Sequence, residues 1–264
     1  MLTLMARSFG RVSRMWIASA LLLVGFQLAL TTAAASLQES GDYQRLFQAV
    51  PAFVRNWIGA SLTSFAGMTT LGFFEPLVIL LLVLFAVYVA SEPAADVEEG
   101  LVDLILARPL PRHWIITRSF VVMTGTVLAL VLTLALANVS SVALFAPPGV
   151  SGPPGRTVLN LMAHLFALTW CFGGLTLAVA ARLDRRNSVL GVSTLAVVAL
   201  FLLKVVVEFT TRFDWLRWLT PFDYFQGTQV LLGRAPVAWD LTVLGAIALA
   251  STAFAYWQFH RRDL

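Results

Sequence analysis

The chain has 264 residues, of which 59% are hydrophobic and only 12% charged, and its mean hydropathy is +0.83. A soluble core cannot hide so much apolar surface, which excludes an ordinary water-soluble globule. The formal charge of +4 comes from arginines placed between apolar runs instead of in one patch, a pattern that suits membrane topology and argues against nucleic acid as a partner.

A helix needs about 20 mostly apolar residues to cross the hydrocarbon of a bilayer, where only a helix or a closed barrel satisfies its own backbone. Six stretches qualify, at 15–35, 69–90, 119–145, 158–181, 188–207 and 241–259. The predicted fold is therefore an all-α integral membrane protein forming one domain over 1–264. Arg7, Arg11 and Arg14 precede the first stretch, which ends in a Thr-Thr-Ala-Ala-Ala-Ser run like that of a cleavable signal peptide. Retention is expected, because an even number of spans keeps Arg261 and Arg262 on the same side as the N-terminal arginines.

Residues 43–58 read as a surface helix with Leu46, Phe47, Val50, Val54, Trp57 and Ile58 as its apolar set. The second span carries Glu75 directly before Pro76 near one end, and a charge there is costly enough to count as a functional candidate. The segment 91–118 follows, and its middle is amphipathic at 100° per residue. Val97, Leu101, Leu104 and Ile105 share one face, Asp96, Glu99 and Asp103 another, and Pro109 and Pro111 mark the end. A helix lying on anionic lipid usually has a basic polar face, so this acidic one is expected to dock on a cytosolic protein.

The stretch GVSGPPGRT after the third span is a turn. Gly149 and Gly155 are one residue too far apart for a phosphate-cradling loop, and Arg156 stands where the lysine would be. His164 and Cys171 share a face of the fourth span, but two ligands make no zinc site, and a packed or hydrogen-bonded histidine is expected. The single cysteine excludes an internal disulfide. Lys204 lies one turn before Glu208 near the end of the fifth span, where an ion pair and a substrate contact are the two readings. Trp215, Trp218, Phe222, Tyr224 and Phe225 crowd the loop before the last span, as at a membrane interface. Of the 18 basic residues, eleven flank the spans on one side, including Arg182, Arg185 and Arg186 in one short loop, so that side and both termini are expected to be cytoplasmic.

The run EEGLVDLILARPLPR, from Glu98 to Arg112, resembles the first cytosolic loop of type-2 ABC transporter permeases. The basic amphipathic N-terminus is similar to that family's elbow helix. LTPFDYFQGTQVLLG is similar to its outer segment before the last span, and FHRRDL to its C-terminal ending. The resemblance covers essentially the whole chain through motifs that are individually loose.

It implies the membrane subunit of an ATP-driven exporter in a bacterial cytoplasmic membrane, paired with a second permease subunit and with two ATPase subunits. ATP and Mg would sit on those ATPases, with no cofactor or metal on this chain and no covalent catalysis. The amphipathic loop would be the coupling helix, with Glu98, Glu99, Gly100, Leu101 and Leu104 against the ATPase and Arg182, Arg185 and Arg186 in a smaller second contact. Glu92 stands eight positions before Gly100 and competes with the Glu98–Glu99 pair for the family's acidic position. Glu75, Lys204 and Glu208 would guard the outer mouth of the path, and the segment before the last span would re-enter the outer leaflet. Spans with few charges suggest an amphipathic or apolar cargo, such as a lipid or a drug-like compound. A channel or scaffold working without ATP would have the same spans and basic flanks, but it does not account for the acidic helix.

Overall fold

A computed structural model describes residues 2–41, 48, 63–100, 113–209 and 211–261. Among them there is no strand. The helices are α1 (Leu2–Ser40), α2 (Phe65–Phe74), α3 (Pro76–Ala90), α4 (Glu92–Glu98), α5 (His113–Phe145), α6 (Gly155–Ala180), α7 (Arg186–Phe209), α8 (Gly227–Leu231) and α9 (Val237–His260), with 3-10 turns at Thr211–Leu219 and Pro221–Tyr224. Six helical segments among the described residues are long and apolar enough to cross a membrane, and they mark a multi-pass membrane protein. Each coincides with one of the six predicted stretches. The predicted surface helix at 43–58 lies outside the described residues, apart from Gln48.

Two ends depart from the hydropathy reading. The basic N-terminal segment is not set apart as a helix of its own, because α1 runs unbroken through 39 residues. No proline interrupts Leu2–Met15, so nothing in the chain forces a bend there. The second span is longer than predicted, extending over Phe65–Glu98 in three helical pieces. Ser64 opens it by accepting a hydrogen bond from the Gly67 N–H at 3.1 Å. Pro76 then interrupts it, since it has no N–H to donate and pushes the preceding residue into extended backbone; Glu75 accordingly has φ −63° and ψ 130°. Past Ser91, α4 carries the line on to Glu98, and Gly100 ends it with φ +65°, the left-handed conformation that glycine adopts without strain.

The second and fourth spans are the inner ones, with 61% of each apolar window buried against 17% in the fifth span and 22% in the sixth. The fifth therefore presents Leu195, Val198 and Leu202 outward, where a bilayer would cover them. Lipid tails are as apolar as leucine, so contact between spans depends on close approach and on polar links. Both are present. In the seam between α6 and α9, a Cβ on Gly174 would lie 2.8 Å from the Ala248 carbonyl oxygen. Between α1, α2 and α5, Gln27 Nε2 and Asn138 Nδ2 both donate to the Thr69 carbonyl, at 3.0 and 2.8 Å, and the Thr31 and Ser141 hydroxyls meet at 2.8 Å.

Candidate functional site

Polar side chains gather at the two ends of the bundle. One end holds the short α4, whose sequence alternates acids with small residues and which is nevertheless buried over Glu92–Asp96. Two charges explain this. Arg118, buried in the first turns of α5, pairs with Asp96 and stands 3.8 Å from Glu92. Arg11 of α1 reaches Glu99 at 2.9 Å and Asp96 at 3.8 Å. Asp96 thus bridges two guanidiniums and shares Arg11 with Glu99, as their common face predicts, but it is buried where Glu99 is exposed. The reason is a pair of cations far away in sequence, which make burial of the carboxylate tolerable.

The 182–187 loop meets α4 from the other side. Glu98 accepts a hydrogen bond from the Arg186 backbone N–H at 2.9 Å, placing a carboxylate at the N-terminus of α7, where the helix dipole favours it. The Arg186 side chain turns inward, donating to Ser91 Oγ at 3.1 Å and to the Tyr88 carbonyl at 3.3 Å, with its guanidinium 4.3 Å from the centre of the Tyr88 ring. Arg186 is therefore an internal brace. Glu92, 2% exposed, is also turned inward, so of the acidic residues of α4 and its cap Glu98 and Glu99 are the ones on the surface. Val97, Glu98, Asp184, Arg185, Asn187 and Ser188 line an open groove of about 580 Å³, which joins the end of α4 to the loop. Arg185 is exposed on that surface, whereas Arg182 is exposed beside Trp257, Gln258 and Arg261. Leu101 and Leu104 lie outside the described residues, as does the rest of the predicted amphipathic helix beyond Gly100.

At the far end, the chain leaving α7 folds back into the bundle. Thr220 Oγ1 donates to the Leu200 carbonyl at 3.2 Å, about 14 Å below the end of α7 at the helical rise. Phe222 is wedged between Phe172 and Phe201, with ring centres 4.8 and 5.5 Å away. The aromatic run consequently splits, with Phe222 and Phe225 buried while Trp215 and Trp218 remain 71% exposed. The folded-back segment, α7 and the break in the second span enclose a cavity of about 310 Å³, lined among others by Phe74, Pro76, Lys204, Glu208, Arg217 and Phe225. Lys204 donates to the Phe222 carbonyl at 3.2 Å and lies 3.9 Å from Glu208. Glu75 sits at the break itself, its Oε2 buried and without a hydrogen-bond partner among the described residues. The cavity joins Lys204 and Glu208 directly, and Glu75 flanks it between two lining residues. Its wall mixes charged and aromatic side chains.

His164 is fully buried and hydrogen-bonded, as expected of a packed histidine, and Cys171 is buried on the same helix. Among the described residues no group of three or more His, Cys, Asp or Glu side chains is arranged to hold a metal. The sequence reading missed Asp240, which faces His164 from α9. An acid in the first turn of a helix is ordinary, and only the packing of α6 on α9 singles it out.

A family model described as "Protein of unknown function (DUF2705)" matches residues 20–264. No curated protein matches the sequence.

Proposed function

We propose that this chain, which belongs to the DUF2705 family of proteins of unknown function, is the permease subunit of an ATP-driven exporter. The observation that carries the reading is the groove at the α4 end, where Glu98 and Arg185, predicted separately as contacts for an ATPase, line one open surface. That surface has an anchored base. Through Arg11, Arg118 and Arg186, α4 and its approach are tied to the first, third and fifth spans, so a force on the groove reaches three spans together.

In this reading Glu98, Glu99, Gly100, Leu101 and Leu104 meet the ATPase, with Arg182 and Arg185 as the second contact. Glu92 and Arg186 hold the coupling element in place from within. The N-terminal turns of α1 take the part of the elbow helix, and two copies of the permease, or this chain and a related one, form the path in a bacterial cytoplasmic membrane with both termini cytoplasmic. The cargo is an amphipathic or apolar molecule that leaves by way of the far end, where Glu75, Lys204 and Glu208 form the gate. ATP and Mg belong to the partner subunits.

Co-purification of an ATPase subunit with the tagged chain from native membranes is the direct test. Changing both Leu101 and Leu104 to Asp is expected to leave insertion intact while abolishing ATP-dependent transport. Stable flux through the isolated chain without ATP would overturn the proposal.

A further inference from the structure

His164 is fully buried in α6, and one of its two ring nitrogens is already committed. Nδ1 lies 2.7 Å from the Asn160 carbonyl oxygen, one turn back. A carbonyl can only accept, so Nδ1 carries the hydrogen of that contact. Nε2 is then the nitrogen that faces Asp240, whose Oδ2 is 3.8 Å away in the first turn of α9. With no further proton, an imidazole lone pair and an ionised carboxylate would confront each other across a buried gap. Nε2 has no hydrogen-bond partner among the described residues, and leaving such groups unsatisfied is costly. One added proton removes the conflict, either as an imidazolium beside a carboxylate or as a carboxyl group facing a neutral imidazole.

We propose that His164 and Asp240 form a proton-binding site in the seam between the fourth and sixth spans, holding one proton between Nε2 and Oδ2. The inference goes beyond the export reading and does not depend on it. Asp240 is 7% exposed where His164 is sealed, which makes the carboxylate the point of proton entry. Phe225 carries the state of the pair onward. Its ring lies over the imidazole, with centres 6.0 Å apart and planes 22° from parallel, and it also lines the far-end cavity. A charge on the imidazole therefore sits against an aromatic face that forms part of the cavity wall.

The surrounding titratable groups are few. Asp223 and Tyr224, in the 3-10 turn Pro221–Tyr224, act electrostatically on or with Asp240. Lys204 and Glu208 of α7 line the cavity that Phe225 shares, and Glu75 stands between Phe74 and Pro76 on its rim. On α6 itself Arg156 and Cys171 lie about two turns away on either side, while α2 and α8 have no titratable side chain. Arg118 of α5, Tyr88 of α3 and Tyr256 of α9 engage at the α4 end or toward it.

The test uses the full chain in lipid vesicles, with its histidine nitrogens labelled for NMR and its carboxyl bands followed by infrared spectroscopy as pH is varied. His164→Gln assigns the signal. The expected result is that Nδ1 keeps its hydrogen throughout, while the Nε2 signal and an Asp240 carboxylate band change together in one step. In Asp240→Asn the Nε2 signal should no longer follow the step seen in the unaltered chain, and Asp240→Glu should restore it. A His164 step with no change at Asp240, or one unmoved by Asp240→Asn, would overturn the proposal. The coincidence of the two signals in the unaltered chain decides the matter even if Asp240→Asn does not fold.

Discussion

The two ends of the bundle treat charge in opposite ways. At the α4 end, carboxylates and guanidiniums interlock, with Asp96 between Arg118 and Arg11, Glu99 on Arg11 and Glu98 on the start of α7. At the far end Lys204 holds a carbonyl closely and its carboxylate loosely, Glu75 leaves an oxygen unanswered among the described residues, and a cavity lies open beside them. Dense pairing holds helices in fixed relation. Loosely answered charge next to empty volume leaves polar atoms free to engage something else. In the export proposal, the first end is the driven one and the second the gate.

Arg118 tests the contrast most severely. Arg118→Met removes the buried guanidinium that pairs with Asp96 and stands beside Glu92, and loss of one partner from a buried pair costs about 3–5 kcal/mol. The expected outcome is a large drop in the thermal unfolding temperature in detergent, or no folded protein. A mild effect would mean the α4 end is not the rigid one. Next in size is Gly174→Val, which forces a side chain against the Ala248 backbone and should cost about 1–3 kcal/mol by overpacking, read in the same melt. Gln27→Leu removes an amide that joins α1 to α2, and its cost is expected to be about 0.6–1.7 kcal/mol. Smallest in stability is Glu75→Gln, expected within about 0.5 kcal/mol of the parent because it breaks no ion pair and the amide oxygen can still accept from the Leu77 N–H. With Lys204→Ala it should nevertheless slow transport at normal expression. Unchanged transport in both would remove the gate from the proposal, and a stability loss like that of Arg118→Met would erase the difference between the ends.

Hydropathy made all six spans legible, because 18 or more apolar residues in a helix have few other places to go. It stopped the second span at residue 90, where Ser91, Glu92 and Asp96 look like a polar loop. What holds them inside is Arg118, 22 residues past Asp96, with Arg11 near the N-terminus on Asp96 and Arg186 on Ser91, and no local window contains those partners. The break at Glu75 was visible in outline, since proline announces its own effect on the preceding residue. The lining of the far-end cavity was not. Phe222 and Trp218 are equally aromatic and four residues apart, and only the return of the chain into the bundle sends one inward and leaves the other out. Asp240 was hidden for the same reason, as its partner lies on a different helix.

The contact between Gly227 and Phe74 ties two irregularities of the bundle together. A Cβ at 227 would overlap the Phe74 ring, so the ring sits in a notch that only glycine leaves open. Phe74 is the last residue before the joint at Glu75–Pro76, and Gly227 begins α8 at the bottom of the folded-back segment. The joint and the segment are thus packed like tooth and slot, with no room between them for a side chain at 227. What look like two separate defects in a helical protein share one contact, and a side chain in the notch would push them apart.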